Sequence, residues 1–333
     1  MSEKLVIGSP FRFPLLGHAP YLLGKFPSRQ IHKIAAERGG LWKIELPNSS
    51  FIAVTSSRFM EELSDESRYE KAIHGGLIEL RKVVKNGLFT ANTDDEQWSK
   101  AHRILLPGFS GKSMGAYLPV INQVSRDMAN NWAANAGRPI DVNRYMTMAS
   151  LEIIGVCGFD YHFADFENYR EAPFVSRLKS VFFDANLSVV LPDFLMNLLL
   201  ASGLRRQVSI KVINGVVDDV IQKRLENPDA YADKKDFLSL MLNGEDKKDG
   251  TKLSAENMRY QLITFLAAGY ETTASMLGFC IYNLIKNPHV LEEARRSVDA
   301  VFADKQDDEL TFKDLSRLGY LKMVINETQR LWP

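Results

Sequence analysis

Between Leu262 and Ile285 the chain is apolar over about the length a bilayer crossing needs, yet Gly269, Glu271, Thr272 and Thr273 interrupt it near the middle. A carboxylate at the centre of a membrane span costs roughly 2.5–3.5 kcal/mol on insertion scales, and Gly269, the two threonines and Asn283 add to the penalty. The better account is a central helix over about 254–286, capped by Ser254 and buried in protein on nearly all sides. Gly269 costs such a helix about 1 kcal/mol relative to alanine, and its bare backbone leaves room for something to approach. Thr272 and Thr273 can donate to carbonyls one turn earlier and bend the helix, while Glu271 is a carboxylate that apolar surroundings penalise. Functionally this reads as a groove that seats a small ligand beside a proton-handling acid and hydroxyl. The plain alternative is a kinked core helix with a satisfied polar pair.

Elsewhere the pattern is mainly helical with a small β contribution near the N-terminus. Trp42, Ile44 and Leu46 alternate with charged residues, Pro47, Asn48 and Ser49 supply a turn, and residues 51–54 are apolar, so a hairpin is expected over about 38–56. From Ser57 onward three- and four-residue spacing dominates, as in 110–134, where Met114, Tyr117, Leu118, Ile121, Val124 and Met128 recur. Asn227, Pro228 and Asp229, and the run 246–250, are polar punctuation around a helix near 237–242. Without internal repeats or a low-complexity linker, the 333 residues read as a single domain.

Charge and cysteine usage exclude several functions. Lys plus Arg and Asp plus Glu both total 41, so no long-range field favours nucleic acid or an anionic membrane. Cys157 and Cys280, the two cysteines, lie in apolar helical surroundings and read as small buried hydrophobes in a reducing compartment, hence a cytoplasmic protein. The N-terminal residues 1–8 hold too short an apolar run for a signal peptide, and no transmembrane anchor is expected. Histidines stand at no metal-binding spacing, and hydrolase, kinase and zinc motifs are absent from the sequence.

Two polar groupings remain. Glu327 and Arg330 are spaced i, i+3 among Leu321, Val324, Ile325 and Trp332, which suggests a buried, bidentate pair on a helix over about 314–332 that begins with a capping-box pattern at Thr311. Trp98 and His102 share a helix face and Arg103 follows, so an indole N–H, an imidazole and a cation offer a carboxylate-binding surface. A packed aromatic with a satisfied histidine is the plain reading.

The order and separation of these features, with Asp65 to Lys71, Gly87-Leu88-Phe89-Thr90, Trp98 to Pro107, Gly155 to Tyr161, Met241 to Gly244, Arg259 to Thr273 and Lys286 to Val290, resemble the cytochrome P450 monooxygenases over almost the whole chain. The likeness is greatest to the branch of self-sufficient fatty-acid hydroxylases, bacterial and fungal, whose haem domain is fused to a flavin reductase. The resemblance implies the mainly α P450 fold with a small N-terminal β-sheet, incomplete at its C-terminus, and a single haem domain over 1–333. It implies haem b, with FAD, FMN and NADPH in a fused or separate reductase, and O2 and an apolar, fatty-acid-like small molecule as substrates. By the same resemblance Thr272 and Glu271 are the acid–alcohol pair that delivers protons, Ala268 and Gly269 form the oxygen groove, and Lys71, Trp98 and His102 contact the haem propionates. Leu77 and Phe89 lie on the substrate side, and Glu327 and Arg330 are a structural pair.

The sequence departs from that branch in two ways. The positions that hold a fatty acid's carboxylate there are Ser49 and Ala53 here, which leaves the polar end of the substrate unassigned. The family's thiolate cysteine is expected beyond Pro333, so no metal ligand is expected within the chain and the 333 residues alone are expected to be inactive. Cys280 cannot stand in, because it lies about 12 Å along the helix from Thr272. A noncatalytic helical ligand-binding or scaffold protein derived from a P450 is the alternative.

Overall fold

A computed structural model describes residues 9–23, 27–38, 40–166, 170–192, 195–196, 202–303, 305 and 310–332. The reading of residues 1–8 lies outside them, as does Pro333. The contacts divide the chain into two compact units, one of Met1–Ser99 and Ser176–Asn214, the other of Lys100–Val175 and Gly215–Pro333.

The first unit is built around the expected hairpin. Strands β1 (Leu41–Leu46) and β2 (Ser49–Val54) pair antiparallel from Leu41 opposite Val54 to Leu46 opposite Ser49. The two-residue period points Trp42, Ile44 and Leu46 inward, and all three are buried with Ala19 of helix α1 (Ala19–Leu22) and Ile34 of α2 (Pro27–Arg38). His18 locks the incoming chain to β1. Its backbone N–H donates to the Glu45 carbonyl at 2.7 Å, and its Nδ1 accepts from Glu45 N at 2.8 Å. That acceptance places the ring proton on Nε2, which donates to the Pro10 carbonyl at 3.1 Å. Gly17 precedes it with φ +58°, and a Cβ there would stand 2.2 Å from the Glu45 carbonyl oxygen, so only glycine fits. After α3 (Ser57–Leu63), the head of α4 (Gly76–Val84) meets Ala185 and Val189 of α8 (Pro173–Val190) through the bare backbone of Gly75 and Gly76.

The second unit is helical, with a two-residue hairpin, β3 (Ala164–Asp165) and β4 (Arg170–Glu171), too short to leave a period in the sequence. Its long elements are α6 (Gly111–Ala134), α7 (Val142–Phe159), α11 (Ala255–Lys286) and α14 (Gly319–Leu331). Cap residues set their starts: Ser110 accepts from Ser113 N, Asp141 from Arg144 N, and Ser254, as expected, from Asn257 N at 3.1 Å. Helices α7 and α11 run antiparallel along each other. Tyr145 and Met146 cluster with Ala274, Leu277 and Ile281, while Ile154, further along α7, meets Gly269, earlier on α11. Helix α7 ends where Asp160 turns left-handed at φ +51° and Tyr161 N returns to the Gly155 carbonyl. Arg224, near the end of α9 (Ser202–Glu226), is 5% exposed and bonds Asp236 through two nitrogens, Ser239 Oγ, and the last carbonyl of α7, that of Phe159. Asp236 also caps α10 (Phe237–Asn243), so one ion pair ties three helix ends together. Removing either partner leaves a buried charge, which costs about 3–5 kcal/mol.

Two expectations change. The capping box at Thr311 is present but starts a separate one-turn helix, α13 (Phe312–Leu315). Leu318, at ψ 45°, breaks the ladder before α14 begins at Gly319. The central helix is not buried on nearly all sides: Ala268, Glu271, Thr272, Ser275, Phe279 and Tyr282 form an exposed stripe opposite the seam with α7. Among the described residues no helix is long and apolar enough to cross a membrane.

Two glycine substitutions should move stability in opposite directions. A Cβ on Gly155 would stand 2.4 Å from the Phe163 ring and 2.6 Å from the Tyr161 carbonyl oxygen, whereas one on Gly278 meets nothing within 4 Å. Gly155→Ala should lower unfolding stability by about 1–3 kcal/mol, and Gly278→Ala should raise it by about 0.5–1 kcal/mol, both read from urea midpoints.

Candidate functional site

In the first unit the loop after α4 carries Phe89 outward. Lys85 takes φ +38° to leave the helix, the Thr90 hydroxyl donates back to the Lys85 carbonyl at 2.7 Å, and Arg81 bonds both the Thr90 carbonyl and Asn92 Oδ1 at 2.7 Å. The Leu88 carbonyl accepts from Trp98 Nε1 at 3.0 Å and Lys71 Nζ at 3.4 Å, and Lys71 stands over the Trp98 ring. Lys71 and Trp98, 27 residues apart, are thus brought together at the Leu88 carbonyl. Both hold the loop on which Phe89, 51% exposed, is displayed. Burial of the ammonium end, and next the charge of Arg81, hold the Lys71 pKa below its ordinary value. Leu77, in the first turn of α4, is half-buried.

Helix α5 (Glu96–Leu105) carries Trp98 and, one turn later, an exposed His102. Arg103 does not join them as a free cation. It is committed to Asp246 of the second unit's 244–254 loop, with Nε and Nη2 each 2.6 Å from a carboxylate oxygen. Asp246 is 1% exposed and also accepts from Lys248 N. The Arg103 hydrogen bonds pull its carboxyl down to about 2. Nothing in the sequence pairs a residue on α5 with one in a polar loop so far away.

On α11, Thr272 Oγ1 donates to the Ala268 carbonyl at 2.7 Å, the back-bond expected of a mid-helix threonine. Glu271 stands beside it on the exposed stripe. Gly269 does not leave space for a ligand. A Cβ there would lie 2.3 Å from Ile154 Cδ1, so the bare backbone serves the seam with α7. Ala268, one residue earlier, is the small side chain that faces out. Tyr270 escapes a sequence reading altogether. It is fully buried, with its hydroxyl 3.5 Å from Glu271 Oε2.

Glu327 and Arg330 form the expected bidentate pair, with both N–O distances 2.7 Å, but their side chains are 56% and 66% exposed. The inward side of α14 is Leu321, Val324, Ile325 and Thr328, the last accepting from Asn283 of α11 at 3.3 Å. The pair lies on the other side, where water screens it. Both cysteines are buried as expected. Burial pushes the Cys157 thiol up to about 12, and Cys280 Sγ lies 3.6 Å from Met276 Sδ within α11. Among the described residues no group of three His, Cys, Asp or Glu side chains could hold a metal ion.

The family model for cytochrome P450 matches residues 7–333. A bifunctional cytochrome P450/NADPH–P450 reductase of Bacillus subtilis is 36% identical over 334 residues, covering 100% of this chain and 31% of the relative. A protein of the same description from Bacillus cereus is 35% identical, again over 100% of this chain and 31% of the relative. A self-sufficient cytochrome P450 monooxygenase of Phanerodontia chrysosporium is 30% identical over 98% of this chain and 30% of the relative. The chain therefore spans about a third of the length of the curated relatives it matches.

The Arg103–Asp246 pair gives a pH dependence with a defined sign. The Asp246 pKa is 3.8 in the unfolded chain and about 2 when folded, so its stabilisation is complete above about pH 4 and lost as pH falls toward 2. Urea midpoints should show that acid limb in the native chain, and Asp246→Asn should flatten it while lowering stability at neutral pH.

Proposed function

The chain belongs to the cytochrome P450 family, and from that premise we propose that it forms the oxygen-activating part of a monooxygenase that acts on an apolar small molecule with electrons from NADPH by way of a flavin reductase. The observation that carries this reading is the exposed stripe of α11, where a carboxylate and a hydroxyl stand side by side next to a small residue.

The donor chemistry fits a haem's periphery. Lys71 keeps two ammonium hydrogens beyond the one it gives the Leu88 carbonyl and His102 carries an exposed imidazole, and both suit carboxylates, whereas the one N–H of Trp98 is engaged by Leu88 and the indole serves as the surface beneath Lys71. Ala268 offers a face low enough for a flat ligand to approach. Haem, when bound, would supply the redox chemistry of O2 that no side chain possesses. The chain's own part is proton handling. Thr272 donates its proton to the Ala268 carbonyl, which leaves its oxygen lone pairs as acceptors on the exposed stripe. Glu271, exposed to water, can exchange protons with solvent and pass them along the stripe. The family resemblance assigns Phe89 and Leu77 to the apolar substrate side, and within the first unit Phe89 is steadied by the Leu88 and Thr90 anchors. Ser49 and Ala53 supply no charge for a fatty acid's carboxylate, so the substrate's polar end is held otherwise or is absent.

The iron ligand is not provided by either cysteine. A thiol held near 12 by burial is protonated at neutral pH, and Cys280 is fixed inside α11 beside Met276. On this reading the 333 residues by themselves do not turn over. Reconstituted with haem, reduced and exposed to CO, the chain should lack the red-shifted Soret band of a thiolate haem, and finding that band would overturn the assignment of the cysteines. In a haem-loaded protein that contains these residues, Glu271→Gln should slow product formation by about 10²-fold, the low end of what a positioned acid contributes. An unchanged rate would remove Glu271 from the mechanism.

A further inference from the structure

We propose that Tyr270 is a positioning residue for Glu271, its buried phenol holding the carboxylate in place on the exposed stripe of α11. The proposal rests on the reading of Glu271 as the proton-handling acid. Consecutive residues lie about 100° apart around a helix and do not normally face each other. A contact between side chains 270 and 271 therefore forms only where the glutamate folds back toward the seam. Here the Tyr270 hydroxyl stands 3.5 Å from Glu271 Oε2, with the phenol as donor. That distance is the outer edge of hydrogen bonding, and a small rotation of the exposed glutamate closes it. Among the described residues no other group bonds to Glu271.

The asymmetry of the pair gives it direction. Tyr270 is 0% exposed and sits on the same face of α11 as the buried Leu266, Ala267 and Ala274, so its ring cannot swing without opening the core. Glu271 is exposed and carries more rotamer freedom than most side chains. A fixed donor beside a mobile acceptor determines where the acceptor rests. Without the hydroxyl the carboxylate would spread over several rotamers.

Carboxyl-¹³C glutamate labelling of the 333-residue chain tests the contact directly, with Glu271 identified by the resonance that Glu271→Gln removes. Tyr270→Phe keeps the ring and should shift that resonance while leaving the other glutamates in place. An unshifted resonance overturns the proposal. The reciprocal measurement, the ¹³Cζ resonance of Tyr270 in Glu271→Gln, reads the same contact without altering the core and carries the same two outcomes. In a haem-loaded protein containing these residues, Tyr270→Phe should lower product formed per O2 consumed several-fold and add nothing in the Glu271→Gln background. Effects that multiply would place the phenol's action elsewhere and overturn the positioning role. Should Glu271→Gln alone leave turnover intact, the acid assignment fails, and the two resonances still decide the contact.

Discussion

The approach of Ile154 to the bare backbone of Gly269 fixes how α11 is turned. A Cβ at 269 would meet Ile154 Cδ1 at 2.3 Å, so at this depth of approach any larger residue must turn the end of the Ile154 side chain aside. The Tyr145–Met146 cluster with Ala274, Leu277 and Ile281 holds the same seam further along. Once one side of α11 is committed to α7, its rotation is set, and Ala268, Glu271, Thr272 and Ser275 emerge opposite. The chemistry proposed for the helix is thus a consequence of a packing contact on its other side.

The features legible in the sequence were those with a local cause. The Ser254 cap, the alternation of Trp42, Ile44 and Leu46, and the helix that starts at Ser110 each arise from residues within a turn or a strand of one another. What a helix meets across the chain was not legible. Gly269 announces a close approach without saying whether a ligand or a side chain makes it. The apolar neighbours of Glu327 and Arg330 suggest burial, yet a helix of 3.6 residues per turn separates them onto the other side. Arg103 offers a free cation on paper and is spent on Asp246 in space. At Thr311 the capping chemistry is present, but the helix it opens is short: the chain leaves it at Ser316, and Leu318, with Gly319 next to it, separates it from α14.

Three bidentate arginine–carboxylate pairs show how little the chemistry alone decides. Arg224–Asp236 is buried and ties the ends of α7, α9 and α10, and its loss strands a charge. Arg103–Asp246 has a buried acid and a half-exposed base, and it anchors the loop that leads toward Ser254 and α11. Glu327–Arg330 has the same geometry in open water, where screening and side-chain entropy offset most of the attraction. The first two hold the frame in which α11 sits. The third can gain strength only where water is excluded from it.

Thr272 shows why the frame matters for proton handling. Its hydroxyl hydrogen is engaged by the Ala268 carbonyl, so a partner on the exposed stripe meets the oxygen as an acceptor. To give a proton away, the hydroxyl must break that back-bond or receive another proton first. An acid fixed one residue earlier can supply the replacement, and a wandering one can do so only part of the time. On the proposed roles, two neighbouring helix residues would act together because the helix orients one of them and the buried face restrains the other.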